Sequence, residues 1–195
     1  MARKLGFQIP ASFPLLDEEI KPRGKDQIIN RALIVSAVVA TSYGLSRDIA
    51  WSWLDQESLI EGLSGKERRF LDGSDEPRKQ FQAQAETLCA FAWSFKFLPD
   101  MDFTRACPDS LVSIYPDLKI LEPDSRFRKG AELREEKELV EACDLACCLH
   151  WGLNQAMIDG IKPKRRLSLL VVAERRRALE WILGTEAWDD ITLDT

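Results

Sequence analysis

A mainly α-helical single domain, a helical bundle with a proline-rich N-terminal arm and a long middle loop, is the fold this sequence predicts. Apolar residues recur at helical spacing in several long segments, whereas strict two-residue alternation is confined to "LKILE" at 118–122 and "ITLDT" at 191–195. Most of the prolines gather in two stretches, which mark where helices cannot run.

Residues 1–25 contain Pro10, Pro14, Pro22 and Gly24 and are expected to run extended as an arm, with 26–195 forming the domain. The first helix is expected from Asp26, with Ile28, Ala32, Val35 and Val39 on one face and Gly44 as its stop. Ser46 heads a second helix through "SRDIAWSWLDQESL", and Ser64 with Glu67 forms a capping box for "SGKERRFL" before Gly73. Pro77 suits a first helical turn, and Phe81, Ala85, Leu88, Ala92 and Phe95 then predict one long helix ending at "LPD". Pro99, Pro108, Pro116 and Pro123 make 98–128 a loop with one short helix near "DSLVSIY", able to drape a site. A long helix is expected from about Lys129 to Met157, a turn at Gly160 and Pro163, and a last helix from about Lys164 to Leu183.

The chain has 195 residues, 45% hydrophobic and 30% charged, a balance that supports one self-sufficient core. A net charge of -5 argues against a broad phosphate-binding face. The basic run "KPKRR" at 162–166 and Arg175–Arg177 are offset by Glu132, Glu135, Glu136, Glu138, Glu141 and Asp144 on the preceding helix, so no nucleic-acid partner is expected. The opening residues hold no apolar run of signal-peptide length, and "ALIVSAVVA" is far shorter than a membrane span, which predicts a cytoplasmic protein without a membrane partner. Five cysteines without framework spacing fit reduced thiols.

The last helix contains "ERRR" at 174–177 inside an apolar arc of Leu167, Leu170, Val171, Ala178, Trp181 and Ile182. Glu174 and Arg175 fall on that arc, whereas Arg176 and Glu180 are placed off it and pair across one turn. A carboxylate in an apolar stripe needs a partner, because desolvation alone costs several kcal/mol, on the order of 2–7 for a polar group. The preceding helix lines its own face with Leu139, Cys143, Ala146, Cys147, His150, Asn154 and Met157. Antiparallel packing of the two predicts a buried polar cluster of His150, Asn154, Glu174 and Arg175, joined by Arg31 from the first helix.

The segments "RALIVSAVV", "LSGKERRFL", "AETLCAFAWSFKFLP", "LREEKELVEACDLACCLHW" and "ERRRALEWILG" with "WDDITLDT" resemble, in this order, the bacterial family catalogued as domain of unknown function 4272. The resemblance covers roughly 25–195 and highlights Arg134, Asp144, His150, Trp151, Glu174, Arg175, Trp181, Trp188, Asp189, Asp190, Asp194 and Thr195. It implies a mainly helical bacterial domain and brings no established activity.

His150 near neutral pKa, oriented by Glu174, would suit proton transfer, but no nucleophile or phosphate loop accompanies the pair. Cys147 and His150 are spaced like a thiol-imidazole dyad, although buried cysteines usually act as small hydrophobes. Cys143 and His150 are about 10 Å apart along a helix and no CxxC completes a zinc set, so neither metal nor cofactor is expected. In the tail, which comprises Trp188, Asp189, Asp190 and Asp194, Trp188 is expected to dock while Asp189 or Asp190 pairs with an arginine, rather than the carboxylates binding a cation. The expected role is binding another protein, most specifically neutralising a basic toxin domain as an immunity protein, through the acidic residues Glu135, Glu138, Glu141 and Asp144. The alternative is an enzyme using acid-base chemistry in a cleft around His150 and Glu174.

Overall fold

The computed structural model describes residues 7, 9, 10, 12–16, 20–74, 76–161 and 167–193. The basic run 162–166, the start assigned to the last helix near Lys164, and Asp194 and Thr195 lie outside the described residues. Among the described residues the chain is all helix and loop, with no strand.

Helix α1 (Lys25–Ser42) runs through the centre. Its sequence "ALIVSAVVA" is apolar on every side rather than on one, and Ile28, Ile29, Ala32, Leu33, Ile34, Val35, Ala37 and Val38 are all buried. It ends where Gly44 takes φ +109°, a left-handed conformation that costs a glycine little. Helix α2 (Arg47–Gln56) follows Ser46, and α3 (Gly65–Leu71) begins with the expected Ser64 and Glu67 capping box.

The long helix expected after Pro77 is two helices, α4 (Arg78–Ala83) and α5 (Ala85–Ser94), and Pro77 sits just before the first turn rather than in it. At Gln84 the backbone bond shifts to Phe81, three residues back, so the axis turns there without glycine or proline. The middle loop carries short 3-10 turns at Asp109–Ile114 and Leu118–Ile120 and a further helix, α6 (Ser125–Gly130).

The helix expected from Lys129 instead starts later, as α7 (Glu136–Ile158). Residues 131–135 stay extended because Arg134 N–H donates to the Ser94 carbonyl at 2.8 Å. The Arg134 guanidinium also takes the Trp93 carbonyl at the end of α5 and the carbonyls of Leu98 and Pro99 just beyond it. Glu135 and Glu138 then form a reciprocal cap that starts α7.

Helix α8 (Leu169–Leu183) begins with Ser168 as its cap. It packs antiparallel to α7, as shown by contacts that run in opposite order, Cys147 to Glu180 and His150 to Arg176. Met157 and Leu170, assigned to the inner faces of these helices, are exposed instead. No helix among the described residues is long and apolar enough to cross a membrane.

The N-terminal segment lies on the bundle where it is described. Phe7 is buried against Gly152, Phe13 meets Trp151 edge to face at 5.9 Å, and Leu16 N–H donates to Asp144 at 2.9 Å. Arg23 then closes the end of α8, donating to the carbonyls of Trp181 and Glu186 with its guanidinium over the Trp181 ring.

Candidate functional site

The four charges of "ERRR" leave α8 in different directions, because successive residues step by about 100° around a helix. Arg175 enters the core, where it meets Glu86 of α5 at 2.7 Å and donates to the carbonyls of Asp102 and Arg105. Glu86 also accepts from Cys107 N–H. One buried ion pair thus fastens the middle loop to α5 and α8.

Arg176 faces α7. Its Nη1 donates to His150 Nδ1 at 2.7 Å and its Nε pairs with Glu180 Oε1 at 2.7 Å. The expected pairing of Arg176 with Glu180 is present, but both groups look toward α7 rather than away from it. A ring nitrogen that accepts is unprotonated, so His150 is neutral with its proton on Nε2. Burial and then the Arg176 charge hold its pKa below the ordinary value.

Glu174 turns toward α5, where it accepts from Thr87 Oγ1 at 2.9 Å. Arg177 Nε lies 3.5 Å from the same carboxylate. Burial raises the Glu174 pKa, against the opposing pull of Arg177 and the Thr87 hydrogen bond. Arg31 pairs with Glu67, another buried carboxylate, at 2.6 Å.

The structure therefore does not bring His150, Asn154, Glu174, Arg175 and Arg31 into one cluster. His150 joins Arg176, Glu174 joins Thr87 and Arg177, Arg175 joins Glu86, Arg31 joins Glu67, and Asn154 is half-buried one turn beyond His150. Periodicity located the charged positions on α8 and Arg31 on α1 but not the distant partners of Glu174, Arg175 and Arg31, which are Thr87, Glu86 and Glu67. Cys147 lies 3.6 Å from Glu180 rather than on His150. Its neighbour Cys143 is pushed up by the hydrogen bond between the two thiols and by burial, as a structural thiol is.

At the start of α7 a groove of about 530 Å³ is lined by Leu15, Leu16, Val140, Glu135, Glu136, Lys137, Glu141 and Asp144. The acidic residues singled out from sequence are divided here. Glu135, Glu141 and Asp144 line the groove, whereas Glu138 is held by Arg134 at 2.8 Å and by the Glu135 N–H. Glu136 is an added member, one turn before Val140. Asp144 is partly buried by the segment that crosses it, which raises its pKa against the Leu16 hydrogen bond.

The family model described as a domain of unknown function (DUF4272) matches residues 1–191. The chain belongs to that family. The match takes in the first 25 residues, which the resemblance in the sequence had left out, and the DUF4272 domain accordingly includes the segment that packs on α7. No curated protein and no solved structure matches the chain. Of the positions highlighted for DUF4272, Arg134 caps α5, Trp181 and Trp188 pack on Phe91, and Asp189 accepts from Lys66 N–H at the start of α3. Asp189 thus meets a helix N-terminus instead of an arginine. Asp190 is exposed in the final 3-10 turn, where its N–H donates to the Ala187 carbonyl.

Proposed function

We propose that this chain works by binding another protein through the groove at the start of α7, and most specifically that it is a bacterial immunity protein that neutralises a basic toxin domain in the cytoplasm. The observation that carries the reading is the groove's make-up. Leu15, Leu16 and Val140 give the groove apolar surface, and beside them are Glu135, Glu136, Glu141 and Asp144, with Lys137 as the one cation among the described lining residues. The apolar surface takes an apolar side chain, and the carboxylates attract a basic segment and speed its encounter. Glu141 is exposed and only loosely paired with Lys137, at 3.9 Å, so its charge is available to a partner.

An enzyme built on His150 and Glu174 draws less support. The two belong to different groups, and His150 is 6% exposed and lines neither the groove nor the smaller cavity described below. A general base needs to reach its substrate within hydrogen-bond distance.

The test is capture of a partner by tagged full-length protein from its host's lysate at low and moderate salt, in parallel with Glu136→Lys/Glu141→Lys. The reading expects a basic protein recovered one-to-one by the wild type, weakened by salt and lost with the double variant. The captured protein, expressed alone, should arrest growth and be relieved by co-expression of this chain. Equal recovery by the double variant would overturn the groove, and a captured protein without toxicity would overturn the immunity role.

A further inference from the structure

Apart from the groove, a cavity of about 90 Å³ lies between α3, the α4–α5 junction, α8 and the tail, with Glu67, Gln84, Glu174, Arg177, Trp188 and Asp189 among its walls. Two polar atoms in these walls have no hydrogen-bond partner, Gln84 Oε1 and Arg177 Nε. Gln84 is 7% exposed, and it sits at the point where the helix breaks without glycine or proline. Arg177 Nε is close enough to Glu174 for charge attraction, at 3.5 Å, yet lacks hydrogen-bond geometry toward it.

A buried acceptor and a buried donor left unmet on the walls of one cavity are costly, and such groups occur where a ligand or ordered water supplies the missing contacts. The charges around the space narrow the choice. Glu67 is matched by Arg31, Glu174 by Arg177, and Asp189 accepts from the Lys66 backbone N–H at the start of α3, while the Lys66 side chain is exposed. A lone cation would meet Arg177 and Lys66, and a lone anion would meet Glu67, Glu174 and Asp189. A molecule carrying both charges meets an opposite partner at each end. At about 30 Å³ per water, the volume corresponds to roughly three waters, which limits the ligand to a handful of heavy atoms. Phe81 and Trp188 supply apolar wall for one short side chain.

We propose that this cavity binds a small zwitterion of the amino-acid type. Its ammonium group donates to Gln84 Oε1 and the Glu174 carboxylate, and its carboxylate accepts from Arg177 Nε, with Lys66 also lining the cavity. The site is independent of the α7 groove, and neither depends on the other's occupant.

The experiment titrates glycine, L-alanine and L-serine into the ¹⁵N-labelled full chain and follows the indole N–H resonance of Trp188, assigned with Trp188→Phe. Methylammonium, acetate and acetamide serve as the two half-ligands and an uncharged analogue. A saturable shift with one of the amino acids, at least tenfold tighter than any of these three, is expected. Gln84→Met and Arg177→Met should each weaken it tenfold or more, since each removes a hydrogen bond to a charged group. The ligand-free spectrum of each variant reports whether it is folded, and Gln84→Leu, which also removes the acceptor, substitutes where Gln84→Met is not. No saturable shift with any of the three means the cavity holds water only and overturns the proposal. Equal binding of acetamide, or unchanged affinity in a folded Gln84 variant, overturns it as well.

Discussion

His150 is the chain's single histidine, so any protonation step between the carboxylate and thiol ranges belongs chiefly to it. Its folded pKa is lowered by burial and by Arg176, so the unfolded chain binds this proton more readily than the folded one. Stability from this group is therefore complete above the ordinary histidine value and is lost as pH falls through it toward the lowered folded value. Denaturant midpoints of His150→Gln and wild type are expected to diverge across that window, with the variant flatter. Parallel curves would show that burial and Arg176 do not hold the ring neutral. The pair of Arg175 and Glu86 makes a separate demand. Glu86→Ala strands a guanidinium that is 2% exposed, and breaking a buried pair from one side costs about 3–5 kcal/mol. Urea unfolding should show a loss of that size, and Glu86→Leu/Arg175→Met should recover much of it. A double variant no better than the single would mean that the carbonyls of Asp102 and Arg105, not the charge of Glu86, are what Arg175 chiefly serves.

Helices whose ends are marked by local chemistry were legible in the sequence, and those ended by distant partners were not. The box of Ser64 and Glu67 and the stop at Gly44 are written in adjacent residues, and the structure has both. The late start of α7 depends on Arg134 reaching back to Ser94 and Trp93 at the end of α5, which no window of sequence contains, and no adjacent glycine or proline marks the break at Gln84. The same holds for the site. The acidic side of the groove on α7 was readable from the spacing of Glu135, Glu141 and Asp144, but its apolar lining needs Leu15 and Leu16 from a segment read as an arm. How that segment is held sets an element-scale prediction. A Cβ on Gly152 would come within 2.7 Å of the Phe7 ring and within 3.1 Å of its Cβ, so the absence of a side chain there is what lets Phe7 sit down. Gly152→Val should displace Phe7 while leaving α7 helical, because the atoms nearest that position all belong to Phe7. Limited proteolysis is expected to clip the first 20 or so residues of the variant faster, with the circular dichroism spectrum little changed. Equal protection of the two proteins would show that Phe7 is not an anchor.

The tail joins elements that are otherwise distant in the chain, and this makes it a test of whether the molecule unfolds as one body. Trp188 is buried with its ring 6.2 Å from Phe91 of α5 and 6.0 Å from Trp181 of α8, and the Arg31 guanidinium of α1 sits 5.0 Å above it. Next to it, Asp189 accepts from Lys66 at the start of α3, so two neighbouring residues tie four helices together. Removing a buried tryptophan side chain costs about 3–5 kcal/mol, and losing a carboxylate at a helix start adds about 1 kcal/mol. For a domain of this size each kcal/mol lowers the melting temperature by about 2–4 °C, so deletion of 186–195 is expected to lower it by roughly 10 °C or more. Calorimetry should still show one transition, because the tail's contacts are part of the core that α1, α5 and α8 share. A melting curve unchanged by the deletion would mean that Trp188 lies on the bundle without stabilising it. A transition that splits in two would mean that the tail is what couples the α7–α8 pair to the helices before it.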